Sequence, residues 1–387
     1  MPWKIIRPMD QKIQLIAEWA QEQSSITDLS KKYGISRKTI YKWCTRYEDK
    51  GVDGLKDQSR SPQNSPNKTA DAIIKLIIDE KLKNRKRGPK KIYHQLKQRY
   101  PGLDLPVPST ISHWLKKNGL VNKRKRRIKV PPYTEPFFMA RAPNDVWSAD
   151  YKGQFYTQDS RVCYPLTISD NYSRYLLACD RLPGPRYRET RMVLENVFRE
   201  YGLPIAIRSD NGVPFAGKYL GGLSQLSMWW IQLGIIPERI DKGCPEQNGR
   251  HERMHRTLKA ETTCPVSSNV KEQQKRFDLF RFDYNNYRPH EALGQDVPNN
   301  YYKRSNRPYV EKPAPPDYDY SYMVRIVRSN GEIKLKGSLH YLSELLAGQP
   351  VGLKEVADGR WQIYYSFFPL GLFDMRKNKI IQGDKCK

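Results

Sequence analysis

Residues 146–153 read VWSADYKG and residues 205–212 read IAIRSDNG. Each stretch carries an aspartate, Asp150 or Asp210, within or at the end of a run of apolar residues that predicts a buried β-strand. A carboxylate in a central strand costs free energy unless it is hydrogen-bonded or bound to a metal ion. The two stretches therefore predict a sheet whose acidic side chains serve chemistry more than packing.

The residues around these two stretches alternate between strand and helix patterns. Strands are predicted over Val146–Gln154, Val162–Ser169, Tyr175–Arg181 and Ile205–Ser209, with a further strand starting at Ile235. Helices are predicted over Glu189–Tyr201, Tyr219–Leu233 and Gln247–Glu261. This order predicts an α/β domain with a mixed sheet and helices on its faces.

A third acidic residue, Glu252, lies on the last of these helices, within residues 243–261 (GCPEQNGRHERMHRTLKAE). Taken singly, an Asp before a turn is more often a cap than a ligand, and an exposed helical Glu usually has no role. Together, two aspartates on adjacent strands and a glutamate on a nearby helix offer the oxygen ligands that Mg²⁺ or Mn²⁺ prefers. We predict Asp150, Asp210 and Glu252 as catalytic residues that hold two Mg²⁺ (or Mn²⁺) ions for an in-line phosphodiester displacement.

The net charge of +27, from 68 Lys and Arg against 41 Asp and Glu, is concentrated at the N-terminal side. Residues 1–142 contain 32 Lys and Arg and 13 Asp and Glu, so +19 of the excess lies in the first third of the chain. The alternative is that the excess Lys and Arg residues lie on solvated faces and bind no partner. A segregated surplus of this size instead predicts a region that binds nucleic acid.

Residues 10–50 show helical periodicity that is interrupted at Gly34, and Ser36 lies where the next helix needs an N-cap. Two helices joined by a tight glycine turn, the second one basic, are typical of a helix-turn-helix. The alternative is a small three-helix bundle with a solvated basic face. Four outward side chains are predicted to contact DNA: Arg37, Lys38, Tyr41 and Lys42.

A second helical module follows, and its last helix is predicted to begin near Ser109, as in a second helix-turn-helix. Residues 123–129 (KRKRRIK) then place six cations in seven positions. Because these charges repel one another, the segment is predicted to be extended along phosphates, although a nuclear-targeting signal has the same composition. The predicted DNA contacts here are Lys123, Arg124, Lys125, Arg126 and Arg127.

The C-terminal region has strand patterns separated by Asn330-Gly331 and Asp358-Gly359, both strong hairpin signals, and a small β-barrel is predicted. The six cysteines form no CxxC pair, which favours neither a disulfide framework nor a zinc finger. No apolar run approaches the roughly 20 residues that cross a membrane. We therefore expect a cytoplasmic protein without a membrane partner.

Residues 144–303 resemble the integrase catalytic core, an RNase H-like fold, of bacterial insertion-sequence transposases and retroviral integrases. The segments that carry the resemblance are VWSADYKG, SDNYSRYLLA, RSDNGVPF, GCPEQNGRHERMHRTLKAE and YNNYRPHEALGQDVPNNYY. Residues 31–60 resemble the N-terminal helix-turn-helix of such transposases, and residues 324–365 resemble their C-terminal β domain. The zinc-binding N-terminal domain of retroviral integrases has no counterpart, because no paired His and Cys precede residue 144.

The predicted fold is multidomain, with all-α helix-turn-helix modules, an α/β RNase H-like core and a small C-terminal β-barrel. Its segments are a helix-turn-helix domain (1–56), a linker (57–67), a second helix-turn-helix domain (68–120), a basic linker (121–142), the integrase core (143–306), a Pro/Tyr linker (307–320) and the β domain (321–378).

The position of the glutamate is a choice between two residues. The family commonly separates its second Asp from its Glu by 35 residues, which is the separation of Asp210 from Glu246; 41 residues separate Asp210 from Glu252. The family also places its Glu seven residues after a proline and three after a glycine. Pro245 and Gly249 have that relation to Glu252, and we therefore choose Glu252.

The resemblance implies a transposase that binds the terminal inverted repeats of a mobile element, cleaves its 3′ ends and joins them to target DNA. His255, Arg256 and Lys259 share the helix face of Glu252 and are expected to contact the DNA end, with a solvated face as the alternative. The implied partners are double-stranded DNA, both element ends and target, and further copies of the chain in a dimer or larger assembly near the nucleoid. Two other functions stay open: a DNA-binding regulator with an inactive core, and a metal-dependent nuclease.

Overall fold

The computed structural model describes residues 8–22, 24–57, 69–121, 138–217, 219–241 and 244–381, apart from the side chains of Pro245 and Glu246. The chain divides into two compact units, Met1–Lys68 and Thr69–Lys387. Lys123, Arg124, Lys125, Arg126 and Arg127, with most of the two predicted linkers at 57–67 and 121–142, lie outside the described residues. The finer domain limits stay predictions. Among the helices that are described, none is long and apolar enough to cross a membrane.

The first unit contains three helices, α1 (Pro8–Ala20), α2 (Ile26–Tyr33) and α3 (Arg37–Lys50). Gly34 ends α2 with a left-handed φ of 63°, a conformation that costs glycine little. The hydroxyl of Ser36 accepts a hydrogen bond from the Thr39 amide at 3.2 Å, which confirms the predicted N-cap. Leu29 and Ile40 are fully buried between the helices.

The second unit begins with another three-helix module, α4 (Asp71–Lys83), α5 (Pro89–Arg99) and α6 (Pro108–Lys117). Both α5 and α6 start with a proline, whose fixed φ suits the first helical position and whose missing N–H would have no partner there. Five apolar side chains with no exposed surface form its core: Ile77, Ile92, Leu96, Ile111 and Leu115.

A mixed sheet forms the centre of the integrase region. Its strands are β1 (Val146–Tyr151), β2 (Phe155–Tyr156), β3 (Val162–Asp170), β4 (Leu176–Leu182), β5 (Ala206–Ser209) and β6 (Ile236–Arg239). Strand β1 is central, antiparallel to β3 on one side and parallel to β5 on the other. Strand β4 extends the sheet beyond β3, and β6 extends it beyond β5. The predicted mixed sheet is confirmed.

Helices cover both faces of this sheet. They are α7 (Tyr187–Tyr201), α8 (Gln225–Gln232), α9 (Gly249–Thr262) and α10 (Val270–Asn286). On one face Leu194 and Phe198 of α7 and Trp230 of α8 pack against Trp147 and other strand residues. On the other face Met254 and Leu258 of α9 and Phe277 of α10 pack against Cys163, Leu176 and Cys179. Burial on both faces explains why the strands read as continuous apolar runs.

The predicted helix over Tyr219–Leu233 is wrong in its first third. Gly221 and Gly222 adopt φ values of 67° and 68°, which interrupt a right-handed helix. Ser224 then begins α8, because its hydroxyl accepts a hydrogen bond from the Ser227 amide at 3.2 Å within a capping box. The predicted helix over Gln247–Glu261 likewise begins with a separate 3₁₀ turn, Pro245–Asn248, before α9.

The C-terminal strands are β7 (Met323–Ile326), β8 (Glu332–Leu335), β9 (Ser338–Tyr341), β10 (Pro350–Ala357), β11 (Arg360–Tyr365), β12 (Phe368–Asp374) and β13 (Lys379–Ile381). They form an antiparallel sheet in the order β13-β12-β11-β10-β7 and a separate hairpin of β8 and β9. Over the residues described, this sheet is open, so the predicted closed barrel is not confirmed. Its apolar face is covered by Ile333 and Leu335 of the hairpin and by Leu223 and Ile231 of the integrase region, so burial needs no closure.

Candidate catalytic site

Asp150 and Asp210 lie next to each other at the carboxyl-terminal ends of two neighbouring strands. Strands β1 and β5 run parallel, with Ala149 opposite Ser209. The next residue of each chain segment is one of the two aspartates, so both side chains point to the same face of the sheet. The sequence alone predicted both acids, and the strand register brings them together.

Glu252 lies in the first turn of α9, beside the same edge of the sheet. It lines a cleft of about 400 Å³ together with Asp150. The other lining residues are Tyr151, Lys152, His255, Arg256 and Lys259. The rival residue, Glu246, lies in the preceding 3₁₀ turn, and its side chain is outside the described set.

Asp150 is the most perturbed of the three acids. Its side chain is 18% exposed. Burial, followed by the negative charge of Asp210, raises its pKa to about 7; the Tyr151 amide and Lys152 oppose this rise, and Glu252 adds a smaller increase. A buried carboxylate with two acidic neighbours favours a proton or a metal cation as its partner.

Within the described part of the chain, none of the three carboxylates forms a salt bridge with a Lys or Arg. This is unusual in a chain with 68 Lys and Arg. Asp210 accepts a hydrogen bond from the Gly212 amide at 3.0 Å, which holds its carboxylate at the end of β5. The donor set therefore fits a divalent cation with oxygen ligands.

Two histidines lie behind Asp150, on the inward face of α9. His251 and His255 are 2% and 4% exposed. The hydroxyl of Thr167 lies 2.7 Å from Nε2 of His251 and 2.6 Å from Nε2 of His255. The same hydroxyl donates to the backbone carbonyl of Asp150 at 3.2 Å, and the Ser169 hydroxyl lies 3.0 Å from Nδ1 of His251.

Burial lowers the pKa of both imidazoles, that of His251 to about 3, so both are neutral at pH 7. With the Thr167 hydrogen on the Asp150 carbonyl, each imidazole donates through Nε2 and carries an unprotonated Nδ1. For His255 that nitrogen lies 3.5 Å from Oδ2 of Asp150. The ligand atoms of Asp150, His251 and His255 lie within 4.8 Å of one another, so they form a second compact donor set.

The three residues of α9 that were predicted to face DNA lie in two different environments. Arg256 and Lys259 are exposed. His255, expected beside them, is instead buried against Thr167, because it shares the inward face of the helix with His251 and Leu258. It therefore contacts Asp150 and is not a surface cation.

Sequence reasoning missed His251, Thr167 and Ser169. The signal for the histidine was present, since two histidines spaced four residues apart share one helix face. The two hydroxyl residues carry no local signal, because they reach the histidines only when β3 packs against α9.

The helix-turn-helix residues of the first unit lie where the periodicity predicted. Arg37, Lys38, Tyr41 and Lys42 are all exposed on α3, and the Tyr41 ring is 58% exposed. An exposed aromatic ring among three cations, in the first turns of a capped helix, has the composition of a DNA-reading surface.

Family models match most of the chain. A helix-turn-helix domain matches residues 11–63 and a homeodomain-like domain matches residues 39–115. Integrase core domains match residues 140–245 and 233–298. The cleft with Asp150 and Glu252 thus lies within the residues that the integrase core models cover.

Relatives include an uncharacterized 31.7 kDa protein of insertion element IS407 from Burkholderia multivorans. It is 27% identical over 202 residues, which are 50% of this chain and 68% of that protein. The Gag-Pol polyprotein of baboon endogenous virus is 31% identical over 100 residues, 26% of this chain and 5% of the polyprotein. The match to this viral protein therefore concerns a small part of its length.

Two solved structures show weaker similarity. The catalytic core domain of HTLV-2 integrase has a TM-score of 0.34 and 13% identity, covering 43% of this chain and 100% of that chain. A chain of the simian T-cell lymphotropic virus intasome has a TM-score of 0.39 and 14% identity, covering 76% and 97%.

The chain thus has the domain content of an insertion-sequence transposase, a helix-turn-helix domain and an integrase core domain, and is similar to a protein of an insertion element. The resemblance that the sequence motifs indicated is thereby confirmed.

Proposed function

We propose that this transposase binds the terminal inverted repeats of its element, cleaves one strand at each end and joins the resulting 3′-hydroxyl to target DNA. The observation that carries the proposal is a group of three carboxylates, Asp150, Asp210 and Glu252, that forms no salt bridge with a Lys or Arg among the described residues. In so basic a chain, such a group fits phosphodiester chemistry assisted by divalent cations.

Asp150, Asp210 and Glu252 would hold two Mg²⁺ (or Mn²⁺) ions through oxygen ligands. When bound, such ions lower the pKa of the attacking water or hydroxyl and stabilise the attacking and leaving oxygens of the phosphodiester. The chain itself orients the ligands: the Gly212 amide holds the Asp210 carboxylate, and Thr167 fixes the β1 backbone at Asp150. His255 lies against Asp150 on the buried side, with Nδ1 3.5 Å from Oδ2.

Basic residues around the cleft would hold the DNA end. Lys152, Arg256 and Lys259 line it, so their side chains can reach phosphates next to the cleaved bond. Helix α3, with its four exposed side chains, and the basic segment 123–127 would bind the repeat sequence and its backbone. Because two element ends must be joined in one event, we propose that a dimer or larger assembly forms on the DNA in the cytoplasm.

A joining assay tests both the reaction and the identity of the third acid. The inverted repeats are taken from the DNA that flanks the gene, and one end is supplied as a labelled duplex with plasmid and Mg²⁺ or Mn²⁺. Wild type and Glu246→Gln should join the label to plasmid. Glu252→Gln should lose at least roughly 10²–10³-fold, the loss typical of removing one group that stabilises developing charge.

Each alternative gives a different outcome in the same assay. Loss in Glu246→Gln alone would assign the third position to Glu246. Cutting without joining would indicate a nuclease, and specific binding without either reaction would indicate a regulator. Asp150→Asn and Asp210→Asn are companion variants that should lose cutting and joining while their binding to the repeat duplex survives.

A further inference from the structure

A buried arginine links the second helix-turn-helix module to the integrase core. Arg87 precedes α5 and is 1% exposed, so its guanidinium is taken almost completely out of water. Its Nη2 lies 2.8 and 2.6 Å from the two carboxylate oxygens of Asp283 on α10. Its Nη1 donates to the side chain of Gln95. A buried guanidinium is stable only with such partners, so separating the module from the core would leave its charge unpaired.

The turn that carries Arg87 is itself braced. The Lys81 ammonium donates to the backbone carbonyls of Arg85 and Arg87, each at 2.7 Å. The Arg87 amide donates to the carbonyl of Asn84 at 2.9 Å. The guanidinium is therefore presented to α10 from a turn with little freedom of its own.

Neighbouring residues extend the contact over one turn of α5. Lys90 lies 4.0 Å from Glu291, which follows α10. Lys91 is half-buried, and burial followed by the charges of Arg288 and Arg87 lowers its pKa to about 8. Charged groups of the module and of the core thus lie close together along this junction, and both belong to the same compact unit.

We propose that the second helix-turn-helix module and the integrase core act on DNA as one rigid body, with the Arg87–Asp283 pair as the clamp between them. This inference rests on the proposed function. If α6 holds the element end, the clamp sets the distance from the bound sequence to the cleft at Asp150. Consecutive phosphates of a strand advance by about 3.4 Å along B-DNA, so a small shift of the module would move the cut to another nucleotide.

The clamp is tested in the full chain with Arg87→Met and Asp283→Asn, which remove it from either side. Arg87→Met removes the buried charge and leaves Asp283, whose side chain is 38% exposed, in contact with water, so this variant is compatible with folding even if Asp283→Asn is not. The matched control is Arg99→Met, which removes the 2.7 Å salt bridge to Glu80 inside the module and keeps both Arg87 and Asp283.

Hydrogen exchange and cut mapping are the two measurements. Amide exchange in α5 and at the C-terminal end of α10 should rise about tenfold in both clamp variants, since local opening becomes easier, and should stay at the wild-type level in the α10 peptides of Arg99→Met. On an end-labelled repeat duplex, wild type and the control should cut at one position, and the clamp variants at several adjacent nucleotides. Binding of the duplex should be unchanged.

Unchanged junction exchange in both clamp variants would overturn the inference. So would a single cut position that persists after exchange has risen, because the clamp would then not set the cut. If wild type neither cuts nor joins, the proposed function fails separately, and exchange at the junction still decides whether the two parts form one rigid body.

Discussion

Asp150→Asn should stabilise the metal-free protein at pH 8, although it removes a proposed metal ligand. The reason is the pKa of about 7 for Asp150, against 3.8 for an ordinary aspartate, caused first by burial and then by Asp210 and Glu252. An ionised Asp150 therefore destabilises the native state. Asparagine has nearly the same shape without the charge, so it avoids this destabilisation.

The magnitude follows from proton linkage. Because the native pKa is raised, the native state holds more protons than the unfolded chain between pH 3.8 and about 7, and stability falls as pH rises through this window. A rise in the pKa of Asp150 from 3.8 to about 7 corresponds to about 4 kcal/mol at pH 8, since a tenfold change in proton affinity is worth about 1.4 kcal/mol. By the same relation, the stabilisation gained from Asp150→Asn is about 2 kcal/mol at pH 5.5 and almost nothing below pH 3.8.

Urea unfolding in EDTA, followed by tryptophan fluorescence at pH 8 and pH 5.5, measures this gain. Asp104→Asn, at an exposed position, is the control and should change stability little at either pH. Excess Mg²⁺ should shrink the advantage of Asp150→Asn, because ligand binding to the native state stabilises wild type. Equal stability of variant and wild type at pH 8, or a gain that grows as the pH is lowered, would refute the reasoning.

Two further predictions concern the surroundings of the cleft. Thr167→Val should lower the free energy of unfolding by roughly 1–3 kcal/mol in urea titrations, because Nε2 of His251 and of His255 lose a buried partner. If the variant is as stable as wild type, the Thr167 hydroxyl does not hold the two histidines. The double change Arg256→Ala and Lys259→Ala should reduce the slope of log affinity against log salt for the end duplex by roughly 1.8, near 0.9 for each lost phosphate contact. An unchanged slope would show that these cations do not touch phosphates.

Much of the local structure was predictable because it depends on neighbours in sequence. Gly34 and Ser36 mark the helix-turn-helix through a left-handed φ and a side-chain cap, both of which need only a few residues. The strands containing or preceding Asp150 and Asp210 are apolar runs bounded by polar turns. The class of the core followed from these acids and their local contexts.

The errors arose where tertiary packing competes with local pattern. The apolar spacing from Leu220 to Leu233 suits one helix, but Gly221 and Gly222 turn Leu220 toward the C-terminal sheet. That sheet reads as a barrel from its hairpins, yet neighbouring elements cover its apolar face. Helical spacing placed His255 near Glu252 without showing that its side chain faces inward, since burial is set by what packs on a helix.

The amino-acid sequence by itself determined the acids, the basic N-terminal third and the kind of element on which each lies, because spacing and composition are local properties. The tertiary structure alone decided which distant groups share a low-dielectric environment. It set the pKa of Asp150, neutralised His251 and His255, and joined Arg87 to Asp283, 196 residues away. Desolvation and charge–charge interaction depend on distances in space, and no periodicity along the chain encodes them.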